Sequence, residues 1–229
     1  MGEAFNYGWR KFQANVGPIL LAVLAYMAAI ALIEILFFFI FGGIASGSTD
    51  CSTDPQTGIT HCETSDGGFF LTLVVGAIFG VAFVALGAIM QAGFARGVLG
   101  LTYGRPLDVG TMFKFDNVVT VIVAGLIVGV AYGVGLILCV IPGLVVLFFS
   151  QFYVWFIVDK KMSAFDSIKA SFSLVNRNVG TMIGFFLATI LAYLVGAILC
   201  GIGLLVAIPV IYIAQGYAYR RLQGEQVAA

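Results

Sequence analysis

Three carboxamides and one carboxylate lie inside otherwise apolar stretches of the chain. Gln91, Gln151 and Gln215 each come a few residues before the cytoplasmic charges that end a predicted span. Because an amide in hydrocarbon needs partners, we predict that all three point into a helix bundle, either bonding neighbouring helices or lining a polar cavity. Glu34 is a carboxylate within such a stretch, and a carboxylate near the bilayer centre costs about 2.5–3.5 kcal/mol, although Glu34 should lie nearer the outer surface. It should therefore face a cavity, a partner or the outer interface.

Cysteines offer a second kind of chemistry, because pairs of them can form disulfides. Cys51 and Cys62 both lie in a polar, acidic segment, and we predict a disulfide between them in an oxidising compartment. Cys139 and Cys200 lie at equivalent points of an internal repeat. They either pair with each other or remain small buried thiols, since geometry within a few ångströms decides between these outcomes.

Metal and catalytic chemistry find little support in the sequence. His61 is the single histidine, and no closely spaced cysteine pair of the kind used by zinc sites accompanies it. The chain has no phosphate-binding glycine loop, no nucleophile elbow and no zinc-protease motif. We therefore predict a protein that is not an enzyme and that holds no cofactor or metal.

Composition points to a membrane protein, since 61% of the residues are hydrophobic and only 10% are charged. A bilayer core about 30 Å thick needs roughly 20 apolar residues of helix to cross it. The apolar runs predict an all-α membrane fold, with residues 1–229 forming a single transmembrane domain and 42–68 an extracytoplasmic loop. The six predicted transmembrane helices are 17–41, 69–93, 118–140, 143–158, 179–200 and 203–219.

Basic residues set the predicted orientation, because cytoplasmic loops carry an excess of lysine and arginine. Segment 42–68 carries acidic residues and no lysine or arginine. We predict a multi-pass protein of a bacterial inner membrane with both termini in the cytoplasm, and a first span too long to be a cleaved signal peptide. The basic residues are Arg10, Lys11, Arg96, Arg105, Lys114, Lys160, Lys161, Lys169, Arg177, Arg220 and Arg221.

An internal repeat relates the third and fifth predicted spans at an offset of 61 positions. The first hairpin joins the pattern more faintly, because Asn15-Val16-Gly17 echoes Asn178-Val179-Gly180. We predict three pseudo-repeated hairpins, each preceded by a cytoplasmic interfacial amphipathic helix. The less hydrophobic matches are Asn117, Thr120, Tyr132, Gly135 and Cys139 with Asn178, Thr181, Tyr193, Gly196 and Cys200.

Local signals predict how individual helices begin and end. We expect the side chains of Asn15, Asn117 and Asn178 to N-cap the helices that follow them by accepting bonds from first-turn amides. Ile141-Pro142-Gly143 is expected to form a tight turn between the third and fourth spans. Ser163 with Asp166 is typical of a capping box.

Two segments carry a resemblance to known proteins. They are Ile141-Pro142-Gly143 with the following residues up to Val175, including Ala164-Phe165-Asp166-Ser167-Ile168, and the closing Gly216-Tyr217-Ala218-Tyr219-Arg220-Arg221-Leu222. The chain resembles, mainly over 130–222, the membrane domain of some bacterial glycerophosphodiester phosphodiesterases and a wide set of uncharacterised six-helix bacterial membrane proteins. The resemblance implies the same six-helix fold. It implies little about activity, because the catalytic phosphodiesterase domain is absent.

Two functions remain as hypotheses. The basic loops and interfacial helices favour a non-enzymatic inner-membrane protein that acts through lipid or protein contacts, as an envelope accessory or assembly factor. Its predicted partners are anionic lipid headgroups at the cytoplasmic face and a membrane protein or second copy, not nucleic acid. The alternative is a transporter or channel for a small molecule, ion or lipid, with Glu34 and the three glutamines lining a cavity between hairpins.

Overall fold

The protein is all-α apart from one short hairpin of strands. The computed structural model describes residues 2–64, 66–114, 116–198 and 203–228, without the side chains of 45–50 and 61–67. In chain order its elements are α1 Gly2–Ala14, α2 Val16–Ser48, β1 Thr49–Thr53, β2 Thr60–Thr64, α3 Asp66–Thr102, α4 Val109–Met112, α5 Val118–Leu138, α6 Val140–Ser150, α7 Tyr153–Lys160, α8 Ala164–Arg177, α9 Val179–Ile198 and α10 Leu204–Leu222.

Five helical segments in the described part of the chain are long and apolar enough to cross a membrane, which makes this a multi-pass membrane protein. They correspond to the first five predicted spans. α10 covers the sixth but is less apolar than α5 and α9. Residues 199–202, which include the predicted end of the fifth span, lie outside the described residues. The five segments are Val16–Ile44, Gly68–Thr102, Val118–Leu138, Val140–Lys160 and Val179–Ile198.

A single residue joins α5 to α6. Cys139 has an extended backbone, and its amide donates to the carbonyl of Gly135 at 3.0 Å. Residues 141–143 therefore lie in the first turn of α6, and the tight turn predicted there is wrong. Pro142 is tolerated because an amide in a first turn has no partner within the helix. The two helices lie very close together here, since a Cβ added to Gly135 would lie only 2.7 Å from the amide nitrogen of Gly143.

Asparagine joins two pairs of consecutive helices in the same way. The side-chain amide of Asn15 donates to the carbonyl of Lys11 at 2.9 Å, and that of Asn178 donates to Leu174 at 2.9 Å. Each bond closes the preceding helix, whose last carbonyls have no partner within the helix. At Asn117 the predicted side-chain N-cap is wrong, because that residue makes no such bond and adopts a left-handed conformation with φ 61°.

α8 begins at the predicted capping box, which is confirmed. The Ser163 hydroxyl accepts from the Asp166 amide at 3.2 Å and donates to the Asp166 carboxylate at 2.7 Å. The buried face of α8 carries small and aliphatic side chains, whereas Phe165 is 58% exposed. The residues of the buried face are Ser167, Ser171, Leu174 and Val175.

The chain packs as two compact units, Met1–Leu24 with Ala88–Ala229 as the first and Ala25–Gly87 as the second. The core of the first unit centres on Trp155 and Tyr219, whose stacked rings lie 6.0 Å apart between centroids. Gly216 permits this packing, since a Cβ there would lie 2.9 Å from the Trp155 ring. That the units act as a single transmembrane domain stays a prediction.

In the second unit β1 and β2 form an antiparallel hairpin with Cys51 directly opposite Cys62. The turn is held by the Asp54 carboxylate, which accepts from the Gln56 amide at 2.8 Å and from the Thr57 hydroxyl at 2.9 Å. These two bonds, the Gln56 amide first, lower the pKa of Asp54. Opposed residues of paired strands lie within reach of a disulfide. The Cys51–Cys62 bond therefore stays a prediction that the register favours.

Candidate ligand-binding cavity

A cavity of about 350 Å³ in the first unit brings the three predicted glutamines together. Gln91 comes from α3, Gln151 from the junction of α6 and α7, and Gln215 from α10. The other side chains in the wall are aromatic, aliphatic or hydroxyl-bearing, and the lining contains no charged residue. They are Tyr153, Trp155, Phe186, Tyr193, Tyr212, Val128, Leu147, Val154, Ser150 and Thr189. We refer to this space as the glutamine cavity.

The glutamine cavity extends from near the basic helix ends to about the middle of the spans. Gln91 and Gln215 precede Arg96 and Arg220 by roughly 7 Å of helix, at 1.5 Å per residue. Thr189 lies roughly 15 Å along α9 from its start. Between these two depths, a molecule in the cavity would contact groups over about a quarter of a hydrocarbon core about 30 Å thick.

The span Val140–Lys160 is interrupted beside the cavity. α6 ends at Ser150 and α7 begins at Tyr153, which leaves Gln151 and Phe152 in a turn. The turn lies roughly 12 Å of helix away from the end of α7. At membrane depth, non-helical backbone is tolerated only where it is buried in protein or lines a cavity. Both conditions are met, because Gln151 lines the cavity and Phe152 is fully buried.

The interruption leaves two backbone groups without a hydrogen bond along the helix, and the side chain of Ser171 in α8 bonds both of them. Its hydroxyl donates to the carbonyl of Phe149 at 2.7 Å and accepts from the amide of Phe152 at 3.1 Å. Ser171 itself is fully buried, so water does not substitute for it. On the cavity side, the Gln151 amide group donates to the carbonyl of Phe148 at 2.9 Å. The interruption is therefore a built feature of the fold.

The glutamines keep hydrogen-bonding capacity for a ligand. The Tyr153 hydroxyl donates to the carboxamide oxygen of Gln91 at 3.3 Å, which orients that side chain. A carboxamide offers two donors and two acceptor sites, so one bond at Gln91 and one at Gln151 leave others for a bound molecule. The wall can therefore both donate to and accept from an uncharged ligand, while its aromatic rings cover apolar parts.

The remaining predicted site residues lie elsewhere. Glu34 belongs to the second unit, where it is exposed and lines a surface pocket of about 400 Å³ formed by residues of α2. It is not among the residues that line the glutamine cavity. Cys139 is a free, exposed thiol, and Cys200 lies outside the described residues, so their pairing stays open. Among the described residues no cluster of histidine, cysteine and acidic side chains could hold a metal.

Sequence reasoning missed the tyrosines and hydroxyls of the cavity wall. Tyr193 could have been found from the sequence, because it matches Tyr132 in the internal repeat. That match was used as evidence for the repeat and not for a binding site. Tyr153 and Tyr212 had no such signal, because tyrosine is common near the ends of membrane helices.

A polar cluster at the end of the first unit was missed as well. The hydroxyls of Tyr103 and Tyr219 both donate to the Asp159 carboxylate at 3.0 Å. The Arg220 guanidinium lies 3.8 Å from the centroid of the Tyr103 ring, and its Nε lies 3.1 Å from Glu225. Burial and then the bond to Asp159 raise the pKa of Tyr103. These contacts fasten the C-terminal segment to α3 and α7, which is a structural role.

Comparison with known proteins adds relatives but no activity. No protein-family model and no solved structure matches the chain. The uncharacterized protein Rv2560 of Mycobacterium tuberculosis strain H37Rv is 34% identical over 230 residues, which covers 99% of this chain and 70% of Rv2560. The uncharacterized protein Mb2590 of Mycobacterium bovis has the same identity and coverage. The chain therefore belongs to the protein family of mycobacterial Rv2560 and Mb2590.

Proposed function

We propose that the protein binds a small, uncharged polar molecule in the glutamine cavity and passes it through the membrane. This is the transporter or channel function that stands second among the two hypotheses from the sequence. The observation that supports it is the interrupted span beside a cavity lined by three glutamines. Discontinuous helices at membrane depth form the binding sites of many transporters, and irregular backbone there is costly unless it lines a cavity.

The size and chemistry of the cavity favour this class of ligand. A volume of about 350 Å³ lies at the lower end of ligand pockets, which run from roughly 300 to 1,000 Å³. A charged ligand would leave its hydration shell without an opposite charge in the wall, which costs several kcal/mol. An uncharged polyol, urea-like or amide-like molecule would replace its hydrogen bonds to water with hydrogen bonds to the glutamine and tyrosine side chains.

The topology that we propose has six membrane crossings, with both termini in the cytoplasm of a bacterium and the loop 42–68 outside. An even number of crossings returns the chain to its starting side. Consistent with this, the Tyr217 hydroxyl near the C-terminus donates to Glu3 near the N-terminus at 3.4 Å. α10 would be the sixth span, screened from lipid by protein and thus less apolar. The three pseudo-repeated hairpins with interfacial helices are part of the same proposal.

Solute entry into vesicles tests this function. The purified protein is reconstituted into proteoliposomes, and stopped-flow light scattering follows swelling in glycerol and in urea. We expect faster entry of at least one solute than in protein-free vesicles. Gln215→Leu should lower the rate, because it removes a polar group from the wall, whereas Gln13→Leu, an exposed change outside the cavity, should not.

A thiol assay separates failure of transport from failure of the cavity. Cysteine introduced as Gln215→Cys in a background with Cys139→Ser and Cys200→Ser should react with a small water-soluble methanethiosulfonate reagent, whereas the background alone should not. If the cysteine reacts but solutes enter no faster than in protein-free vesicles, the cavity is accessible to water but the protein does not transport these solutes. An unreactive cysteine would mean that water does not reach the cavity, and the proposed function would fail.

The accessory role through lipid or protein contacts is a second proposal, and so is kinship with the membrane domain of glycerophosphodiester phosphodiesterases. A groove with exposed basic and aromatic side chains on α1 favours the lipid contact. In both proposals the protein is non-enzymatic.

A further inference from the structure

A groove of about 710 Å³ runs between α1 and the end of α10. We refer to it as the α1–α10 groove. It is separate from the glutamine cavity, and no residue lines both. The side chains around it that matter here are Glu3, Trp9 and Arg10 of α1, and Tyr217 and Arg221 of α10.

The α1–α10 groove is positively charged. Arg10 and Arg221 are both exposed and line it together, while Glu3 supplies one opposing carboxylate. The Glu3 carboxylate accepts from the Tyr217 hydroxyl at 3.4 Å. Two guanidinium groups against one carboxylate leave a net positive charge, and guanidinium forms strong, directional bonds with phosphate oxygens.

Aromatic side chains form the walls of the groove. The rings of Tyr7 and Tyr217 lie 4.9 Å apart, and Trp9 is 47% exposed with its ring 6.1 Å from that of Phe12. An exposed tryptophan beside basic residues is typical of the level of lipid headgroups, where one part of the indole is apolar and its N–H is wet.

The groove also lies close in the chain to apolar surface. α1 passes through the single residue Asn15 into α2, and within its first three turns α2 exposes Leu21 and Leu24 by 58% and 57%. These leucines belong to a helix long and apolar enough to span the membrane. A molecule with a phosphate and acyl chains can therefore contact both the arginines of the groove and the exposed leucines of α2, whereas a free phosphate contacts only the arginines.

We propose that the α1–α10 groove binds the headgroup of an anionic phosphoglyceride, with its phosphate on Arg10 and Arg221. This inference deepens the proposed lipid contact and rests on it, but it is independent of the glutamine cavity. Each arginine near a membrane surface contributes about a fivefold gain in affinity for an anionic lipid. Because both side chains are exposed, replacing them leaves the core intact.

Competition between two lipids tests the proposal. The purified protein in detergent receives equal amounts of phosphatidylglycerol and phosphatidylcholine, and native mass spectrometry measures the ratio of the two bound lipids. We expect the wild type to retain phosphatidylglycerol preferentially. The ratio should fall about fivefold in Arg10→Gln and in Arg221→Gln, and further in the double variant. Arg105→Gln, which removes an exposed arginine outside the groove, is the matched control.

The outcomes separate the alternatives. An unchanged lipid ratio in the double variant, or an equal fall in Arg105→Gln, would overturn the groove as the site. Displacement of phosphatidylglycerol by millimolar inorganic phosphate would overturn the lipid in favour of a soluble phosphate compound. Thermal unfolding of each variant checks its fold. Solute entry through the glutamine cavity should be unaffected by Arg10→Gln, so a failure here and a failure of transport are distinguishable.

Discussion

Replacing Ser171 by alanine should destabilise the protein far more than the loss of one hydroxyl from α8 suggests. The Ser171 hydroxyl bonds both the carbonyl of Phe149 and the amide of Phe152, on either side of the interruption between α6 and α7. Ser171 and Phe152 are fully buried, so water cannot replace the bond to the Phe152 amide, whereas Phe149 is half-buried. A buried polar group left without a partner costs about 1–3 kcal/mol, and a half-buried one costs less. We therefore expect Ser171→Ala to lower the free energy of unfolding by about 1–4 kcal/mol.

Unfolding in mixed micelles with increasing dodecyl sulfate measures this change, and tryptophan fluorescence reports it because Trp155 lies in α7. Ser173→Ala is the matched control, since Ser173 is on the same helix but exposed. It should change the free energy by no more than about 0.5 kcal/mol. Ser167→Ala is a second control, because that buried hydroxyl bonds a carbonyl of its own helix at 2.8 Å. If Ser171→Ala and Ser173→Ala unfold alike, the bridging role assigned to Ser171 is refuted.

Three further changes have outcomes fixed by the structure. Gly135→Ala should lower the free energy of unfolding by about 1–3 kcal/mol, because the added Cβ would overlap Gly143. Gly133→Ala is the control and should not lower it, because the space around Gly133 is open. Chemical or thermal unfolding compares the two variants. Burial raises the pKa of Tyr7 to about 12, so stability from its protonated form is present below pH 10 and is lost as pH rises from about 10 to 12. Tyr7→Phe should therefore flatten the alkaline fall in melting temperature, and an equally steep fall would contradict this. In a background with Cys139→Ser and Cys200→Ser, Cys51 and Cys62, which are opposed in the hairpin, should react with a maleimide reagent only after reduction. Labelling of this variant without reductant would disprove the disulfide.

Hydropathy was sufficient to predict five of the helices, because a long apolar run has few alternatives to a membrane-spanning helix. The capping box at Ser163 was also predictable, since its partner Asp166 lies three residues away and no other part of the chain takes part. The three glutamines border one cavity, but that they form a polar lining stays a prediction. What these predictions share is that one local rule decides each of them.

The connections between helices depend on tertiary contacts and not on local sequence patterns. Residues 141–143 have the composition of a turn, but the close contact of Gly135 with Gly143 lets α6 begin at Val140, so that Pro142 falls within its first turn. The interruption at Gln151 and Phe152 has no turn residue at all. It depends on Ser171, about twenty residues further along the chain. No local pattern could have predicted it, because the stabilising partner is brought there by tertiary packing.

The interruption and the glutamines belong together for an energetic reason. Each polar group that a membrane protein carries into hydrocarbon needs a partner, and separate partners for many groups would scatter polar atoms over several helix faces. Here Gln91, Gln151 and Gln215 converge on one wall, together with the broken backbone. Elsewhere in the first unit the spans present mainly apolar side chains, such as Ile137 at 87% exposure, whereas Glu34 of the second unit is an exposed carboxylate within a span. Gathering the polar groups of the first unit in one cavity leaves its lipid-facing surface largely apolar, as the proposed solute-binding function requires.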